Sequence, residues 1–461
     1  MGSSAAAARN PLPQKDRAPG GRALLQRLAE ARARTDDLFG IVRPEALYDR
    51  PIAERHRIIF YVGHVEAFDW NLLERGHFEL PAFDATFDQL FAFGIDPVGG
   101  GLPSDAPEDW PRREQVDAYN RRLREALDER LAASIDSNGE RARETARLLN
   151  VAIEHRLMHA ETLAYMLHRL SPERKIAHAD TPAPAAPPVI ERMVRIPAGV
   201  ATLGLRRNDG GAFGWDNEFE EHGVAVPEFR IDAHKVTNGQ FLNFVSSGGY
   251  QERALWDKAD WEWLQSSGTS RPAFWVLRGE RIFLRTMFDE IPLPMDWPVY
   301  VSHAEAAAYA RWVGKKLPSE AEWHRAAYGT PRGFERAYPW GGDAPEADRG
   351  NFDFARWDPA PVTAYPAGAS AFGVEGLVGN GWEWTRTIFG AFPGFEAFAF
   401  YPGYSANFFD EQHYVMKGAS ARTAACMLRR SFRNWFQPHY PFVYAGFRCV
   451  EDGSGASADP R

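Results

Sequence analysis

The stretch His155-Arg156-Leu157-Met158-His159-Ala160-Glu161 sets the reading of this chain. Two histidines four residues apart lie on one face of an α-helix, about 40° apart around its axis, so both imidazoles can reach a common point. A third histidine from another helix would complete a three-nitrogen face and leave the other positions of a metal ion open to reactants. The pattern is not His-Glu-x-x-His: position 156 is Arg, so the general base of a zinc protease is missing. Glu161 stands about 240° around the helix from His155, off the histidine face, and is expected to support that face from behind or to meet another helix.

Working outward, helical periodicity surrounds this stretch from Glu140 to Leu170 and appears earlier from about Pro111 to Ser134. A further helical pattern carries Leu24, Leu25, Leu28, Ala29 and Leu38. Between them, Ile58, Ile59, Tyr61, Val62, Val65, Phe68, Leu72 and Leu73 form an amphipathic run. Pro51 suits its first turn and Gly76 the residue past its last. His64 falls in the middle of that run, after Gly63, where a missing side chain lets a neighbour approach. Residues 77–110, with Gly99-Gly100-Gly101, read as loop, and His56, His77 and His168 read as surface residues. Four helices predict an antiparallel bundle over residues 21–175, preceded by a disordered tail at 1–20.

Thr181-Pro182-Ala183-Pro184-Ala185-Ala186-Pro187-Pro188 reads as a stiff linker within residues 176–189. Beyond it, short apolar runs such as Met193-Val194-Arg195-Ile196 alternate with Gly, Pro, Asn and Trp. Helical patterning is confined to stretches such as His303–Val313 and Ser319–Tyr328. An α+β domain over residues 190–452 follows, then a short disordered tail at 453–461, with no internal repeat. The chain's 15 Trp, 15 Tyr and 31 Phe are ample for large cores. A formal charge of −9 without a basic run argues against nucleic acid or an anionic membrane as partner. No apolar stretch reaches the ~18 residues that span a bilayer. Met1-Gly2-Ser3-Ser4-Ala5 lacks the apolar core of a signal peptide, and two cysteines are too few for a disulfide framework. A cytoplasmic protein with reduced thiols is expected.

Within the second domain, Val236-Thr237-Asn238, Pro298-Val299-Tyr300-Val301-Ser302, Lys316-Leu317-Pro318-Ser319-Glu320-Ala321-Glu322-Trp323 and Tyr338-Pro339-Trp340-Gly341 occur in order. Gly379-Asn380-Gly381-Trp382-Glu383-Trp384-Thr385, Phe432-Arg433-Asn434 and Ala445-Gly446-Phe447-Arg448 complete the set. Together they resemble the formylglycine-generating-enzyme (sulfatase-modifying factor) domain, a variant of the C-type-lectin-like fold. The bundle with its HxxxHxE motif resembles the DinB-like domain. Joined in this order, the two resemble the iron-dependent sulfoxide synthases of ergothioneine and ovothiol biosynthesis. The expected fold is therefore α+β and multidomain, a DinB-like four-helix bundle followed by a C-type-lectin-like domain.

The resemblance implies His64, His155 and His159 as metal ligands and Fe(II) as the metal; imidazoles alone suit Fe(II), Zn(II) and Cu(II) equally. It implies O₂, a small thiol and a histidine-derived substrate, histidine or hercynine, as reactants. Asn434 and Trp435 match the positions that hold a histidine betaine, where an aromatic face gives a quaternary ammonium ~2 kcal/mol once desolvated. Several positions depart from the family. Met158 stands where a Gln contacts the substrate imidazole. Phe436 and Tyr440 stand where charged residues bind γ-glutamylcysteine, which disfavours that donor. Phe389 stands where a Tyr assists proton or electron transfer, so either Tyr401, Tyr404 or Tyr414 takes over or the chemistry differs, as in thiol dioxygenation. Cys426 and Cys449 do not form the close pair that peptide-cysteine oxidation needs. Two alternatives stay open: an O₂-independent, divalent-metal thiol transferase or hydrolase of DinB type, and a non-catalytic lectin-like binding protein. The identity of the thiol, the regiochemistry and the oligomeric state are not encoded in these motifs.

Overall fold

A computed structural model describes residues 21–73, 81–92, 102–134, 139–207 and 213–453. The two terminal tails, Gly76, His77 and Gly99-Gly100-Gly101 lie outside these, apart from Gly453. The N-terminal half is built from α1 (Gly21–Gly40), α2 (Ile58–Trp70), the short α3 (Ala85–Leu90), α4 (Arg113–Ser134) and α5 (Glu140–His168). α1 packs along α5, and α2 lies against α4 and α5. Leu24, Leu28, Ala31 and Leu38 form the inward stripe of α1, and Val116, Tyr119, Leu123, Leu127 and Leu131 that of α4, both at helical spacing.

α2 departs from the amphipathic expectation. Every residue except Phe68 is buried, so it is the central rod of the bundle rather than one of its faces. It starts at Ile58, not near Pro51, which lies in a turn seven residues earlier. Proline's fixed φ suits a turn as well as a helix start, and the two uses share one local signal. Past Trp70 the helix widens into one π-type turn at residues 71–73. The expected loop at 77–110 contains α3, capped by Asp84, whose carboxylate accepts from the Thr86 and Phe87 amides at 3.2 Å.

Among the described residues, the C-terminal half holds four small sheets and four α-helices. β1 (Met193–Ile196), β4 (Phe229–Asp232) and β12 (Val450–Asp452) form one antiparallel sheet with β4 in the middle. β2 (Gly199–Leu203) pairs with β3 (His222–Val226), and β5 (Trp275–Arg278), β6 (Arg281–Arg285) and β7 (Glu290–Pro292) form a meander. The largest sheet runs β10-β9-β8-β11, from β8 (Gly381–Ile388), β9 (Tyr414–Ala419), β10 (Asn434–Phe436) and β11 (Ala445–Gly446). α6 (Asn238–Ser246), α7 (Lys258–Ser267), α8 (His303–Trp312) and α9 (Glu320–Tyr328) flank these sheets.

The motifs have structural roles. Thr237, Ser302 and Ser319 each cap a helix in a reciprocal box with Gln240, Glu305 and Glu322. Glu383 of β8, wholly buried, accepts from Trp323 Nε1 at 2.9 Å and from Arg448 Nε at 2.7 Å, with Lys235 at 3.0 Å. Burial alone would raise this carboxyl; Arg448 and Lys235 outweigh that and hold it below its usual range. The Pro/Ala linker is docked rather than loose: Arg356 binds Asp180 and the Thr181 carbonyl, and Thr363 Oγ1 donates to the Pro187 carbonyl at 2.7 Å. Both cysteines are free thiols, and burial pushes Cys426 up to about 11. Among the described residues no helix is long and apolar enough to cross a membrane.

Candidate metal centre at the domain seam

His64 leaves the middle of α2, and His155 and His159 leave one face of α5. All three are buried, and one ring nitrogen from each lies within 4.8 Å of the others. The Gly63 backbone is what lets the first ring be fixed: a Cβ there would meet the Phe91 ring at 2.4 Å. Phe91, just past α3, can therefore bring its carbonyl to His64 Nδ1 at 2.6 Å. A carbonyl only accepts, so Nδ1 carries the proton and Nε2 is left as a lone pair with no hydrogen-bond partner among the described residues. Aromatic rings hold the orientations. Phe60 stacks on His64 at 4.8 Å, Phe68 on His155 at 3.4 Å, and Tyr61 lies 5.8 Å from His159.

His155 Nε2 and His159 Nε2 face each other at 3.2 Å. Two nitrogens bound at ~2.1 Å to one ion and about a right angle apart would stand ~3 Å from each other. The spacing fits a shared cation. The electrostatics fit as well: burial pulls His64 down to about 4 and holds His155 and His159 well below their ordinary value, with neighbouring imidazoles and Arg156 adding to the effect. Imidazoles held neutral could serve as metal ligands, and the donor set suits Fe(II), Zn(II) or Cu(II).

The C-terminal half covers this centre through α5. Glu154, Met158, Glu161, Tyr165 and His168 follow a 4-3-4-3 spacing, one stripe of the helix. Each meets the second domain. Glu154 accepts from Trp215 Nε1 at 2.9 Å and from Arg429 at 2.7 Å. Glu161 accepts from Trp382 Nε1 at 2.6 Å, Ser420 at 2.5 Å and Thr423 at 2.8 Å. Its partners belong to β8 and the loop after β9 of the second domain, not to the histidine face or another helix as expected. Tyr165 lies edge-on to Tyr440 and Tyr444. His168 is no surface residue: it is buried between the Tyr444 hydroxyl at 3.0 Å and the Arg285 carbonyl at 2.8 Å. His56 is half-buried, its ring 4.2 Å from Phe60.

The remaining candidates fall into two groups. Trp435, on β10, stacks face to face with buried Phe389 at 4.1 Å and meets Tyr404 edge-on at 5.6 Å. The Tyr404 hydroxyl reaches Met158 Sδ at 3.4 Å, linking Trp435 to the histidine-bearing helix. Asn434 Oδ1 accepts from the Trp435 amide at 2.8 Å. Tyr401 lies 5.7 Å from Phe68 and 6.5 Å from His155. Tyr414 does not join them; it stacks on His303 at 3.7 Å. Phe436 and Tyr440 stack on each other at 5.2 Å, and the Tyr440 hydroxyl accepts from Arg55 Nε at 3.0 Å. Arg55, Phe68 and the Phe91 carbonyl were not legible as site groups, although Phe68 stands four residues after His64 on the same helical face.

Residues 179–453 match the family described as the sulfatase-modifying factor enzyme 1-like domain, and residues 27–163 match the DinB superfamily. The chain belongs to the sulfatase-modifying factor enzyme 1-like family, in a two-domain form with a DinB bundle in front. Among its curated relatives, the hercynine oxygenase of Mycolicibacterium thermoresistibile is 38% identical over 317 residues, covering 67% of this chain and 70% of that protein. The hercynine oxygenase of Mycobacterium tuberculosis is 41% identical over 240 residues, 51% of this chain and 56% of that protein. Ergothioneine biosynthesis protein 1 of Neurospora crassa is 28% identical, covering 88% of this chain and 55% of that protein.

Proposed function

We propose that the protein is a cytoplasmic, non-heme Fe(II) sulfoxide synthase that uses O₂ to join a small, cysteine-like thiol to the imidazole of hercynine or histidine. The observation that carries this reading is the convergence of three neutral imidazoles, from α2 and α5, at the seam with a domain bearing Trp435. The relatives named hercynine oxygenase support a histidine-derived substrate. His64, His155 and His159 would hold the ion. Bound there, Fe(II) would supply the redox chemistry that couples O₂ to a thiol and an imidazole C–H, with one oxygen atom ending on sulfur as the sulfoxide and the other leaving as water.

The chain's own residues do the rest. Trp435, braced by Phe389, offers an aromatic face to a quaternary ammonium, with Asn434 beside it. Met158, next to a ligand and against Tyr404, gives the substrate ring an apolar rather than a hydrogen-bonding contact. The imidazole carbon loses a proton as sulfur adds, and Phe389 cannot handle it. We assign the relay of that proton to the Tyr401 hydroxyl, whose ring lies 6.5 Å from His155 and which passes its own proton on toward the water formed from O₂ as it receives one. Phe436 and Tyr440 close the region where the resemblance places the thiol, with Arg55 as the cation at its edge.

Anaerobic Fe(II) reconstitution followed by O₂ uptake tests the reading directly. Uptake is expected only when hercynine or histidine and a thiol such as cysteine are both present. No thiol-dependent uptake with any such pair would count decisively against it. A second reading, an O₂-independent thiol transferase, draws on the fact that three imidazoles do not choose between Fe(II) and Zn(II). Full turnover with Zn(II) under nitrogen would favour it.

A further inference from the structure

Arg156 occupies the motif position where a zinc protease would carry its base, and the structure assigns it a different task. It is wholly buried on α5, three residues before His159 and one after His155. Its guanidinium points at α2, the helix that carries His64. Nη1 donates to Glu66 Oε1 at 2.7 Å, and Nη2 donates to Asp69 Oδ2 at 2.6 Å and to the Val65 carbonyl at 2.8 Å. Nη1 also reaches Thr35 Oγ1 of α1 at 3.3 Å. Glu66 Oε1 accepts in turn from Arg124 of α4 at 2.6 Å, and Arg124 holds Asp36 of α1 through two bonds of 2.7 Å. One charge cluster, buried at Arg156, Glu66 and Asp69 and opening to solvent at Asp36, thus touches α1, α2, α4 and α5.

We propose that Arg156 is a positioning residue for the metal centre: it locks α2 to α5 in the register that brings His64 Nε2 to the nitrogens of His155 and His159. This rests on the three-histidine reading above. The physical case is directional. Hydrophobic packing between two helices tolerates axial slip, whereas a planar guanidinium bound to two carboxylates and a carbonyl on the facing helix fixes slide and rotation together. A slip of one residue would move His64 by ~1.5 Å along the axis, enough to pull its nitrogen out of bonding range. Buried ionic groups are best supported as register-setting devices of this kind, and side chains behind metal ligands commonly tune affinity 10–100-fold.

The test is Co(II) binding to metal-free full-length protein, read by chelator competition and by the visible ligand-field spectrum. Arg156→Met is expected to weaken binding at least 10-fold and to alter the spectrum, with Arg156→Lys recovering part of both. If the single variant does not fold, the triple variant R156M/E66Q/D69N, which leaves no member of the Arg156 contact set charged against another, gives the decision with native circular dichroism as its control. Wild-type affinity and an unchanged spectrum in a folded variant overturn the inference, even where thermal stability falls, because that pattern is purely structural. Failure of the wild-type protein to bind Co(II) at all would instead overturn the metal reading beneath it.

Discussion

At the scale of single residues, the chemistry rests on which groups are neutral, which are aromatic and which carry a hydroxyl. Trp435→Ala is expected to raise KM for hercynine roughly 30-fold, the equivalent of a ~2 kcal/mol cation–π contact, while Trp435→Phe recovers most of it. Steady-state kinetics with hercynine and with histidine separates the two, since only the betaine carries a permanent cation. Tyr401→Phe is expected to lower kcat about 100-fold with little change in KM, the mark of a proton-handling hydroxyl. Tyr404→Phe should cost less, because its hydroxyl is engaged with Met158 Sδ. Equal and small effects of both changes would remove the tyrosines from the mechanism. The pair His155 and His159 was legible because helix geometry alone aligns residues four apart. His64 came from the resemblance, since nothing local ties α2 to α5. The partners of Arg156 were not legible: Glu66 and Asp69 look like ordinary surface acids until the helix that bears them proves to be buried all round.

At the scale of elements, α2 and α5 carry the argument. Gly63→Ala is expected to force Phe91 away from α2, cost about 1–3 kcal/mol as an overpacked core does, and release the carbonyl that fixes His64. Urea unfolding and metal affinity should fall together; a loss of stability with metal affinity intact would show that the Phe91 latch is dispensable. The boundaries of α4 and α5 were readable to within a few residues because their apolar stripes are clean. α2 was misplaced at its start because Pro51 serves a turn, and its amphipathic reading failed because Glu66 and Asp69 are buried as ion pairs. The stripe Glu154-Met158-Glu161-Tyr165-His168 escaped notice for a related reason. A mixed polar stripe looks solvated, yet here it is the surface on which the second domain sits.

At the scale of the whole molecule, the two halves are joined by buried polar contacts rather than by a loose hinge. His168 reports on that seam. Burial, reinforced by Lys175, lowers its pKa to about 3, against about 6.5 in an unfolded chain. Above pH 6.5 neither state is protonated and the residue contributes no pH dependence. Below it the unfolded chain takes up a proton that the folded protein refuses, so stability falls as pH drops from 6.5 towards 3. Between pH 7.5 and 5.5 this amounts to about 1.4 kcal/mol. His168→Gln should lose that part of the pH dependence in urea titrations, whatever its effect at pH 7.5; an identical slope in variant and wild type would contradict the assignment. The division into a helical bundle and an irregular, Trp-rich domain was legible from patterning and from the ordered motifs. The docking of the linker, through Arg356 and Thr363, was not, because both anchors lie more than 170 residues further along the chain.

The central claim is that His64, His155 and His159 share one metal ion. Anaerobic titration of metal-free protein with Fe(II), in wild type and in each single His→Ala variant, tests it most directly. The account predicts one tightly bound ion per chain in the wild type and a loss of at least 100-fold in affinity for every variant, with the fold preserved by circular dichroism. Retention of wild-type affinity in any one of the three variants would contradict it.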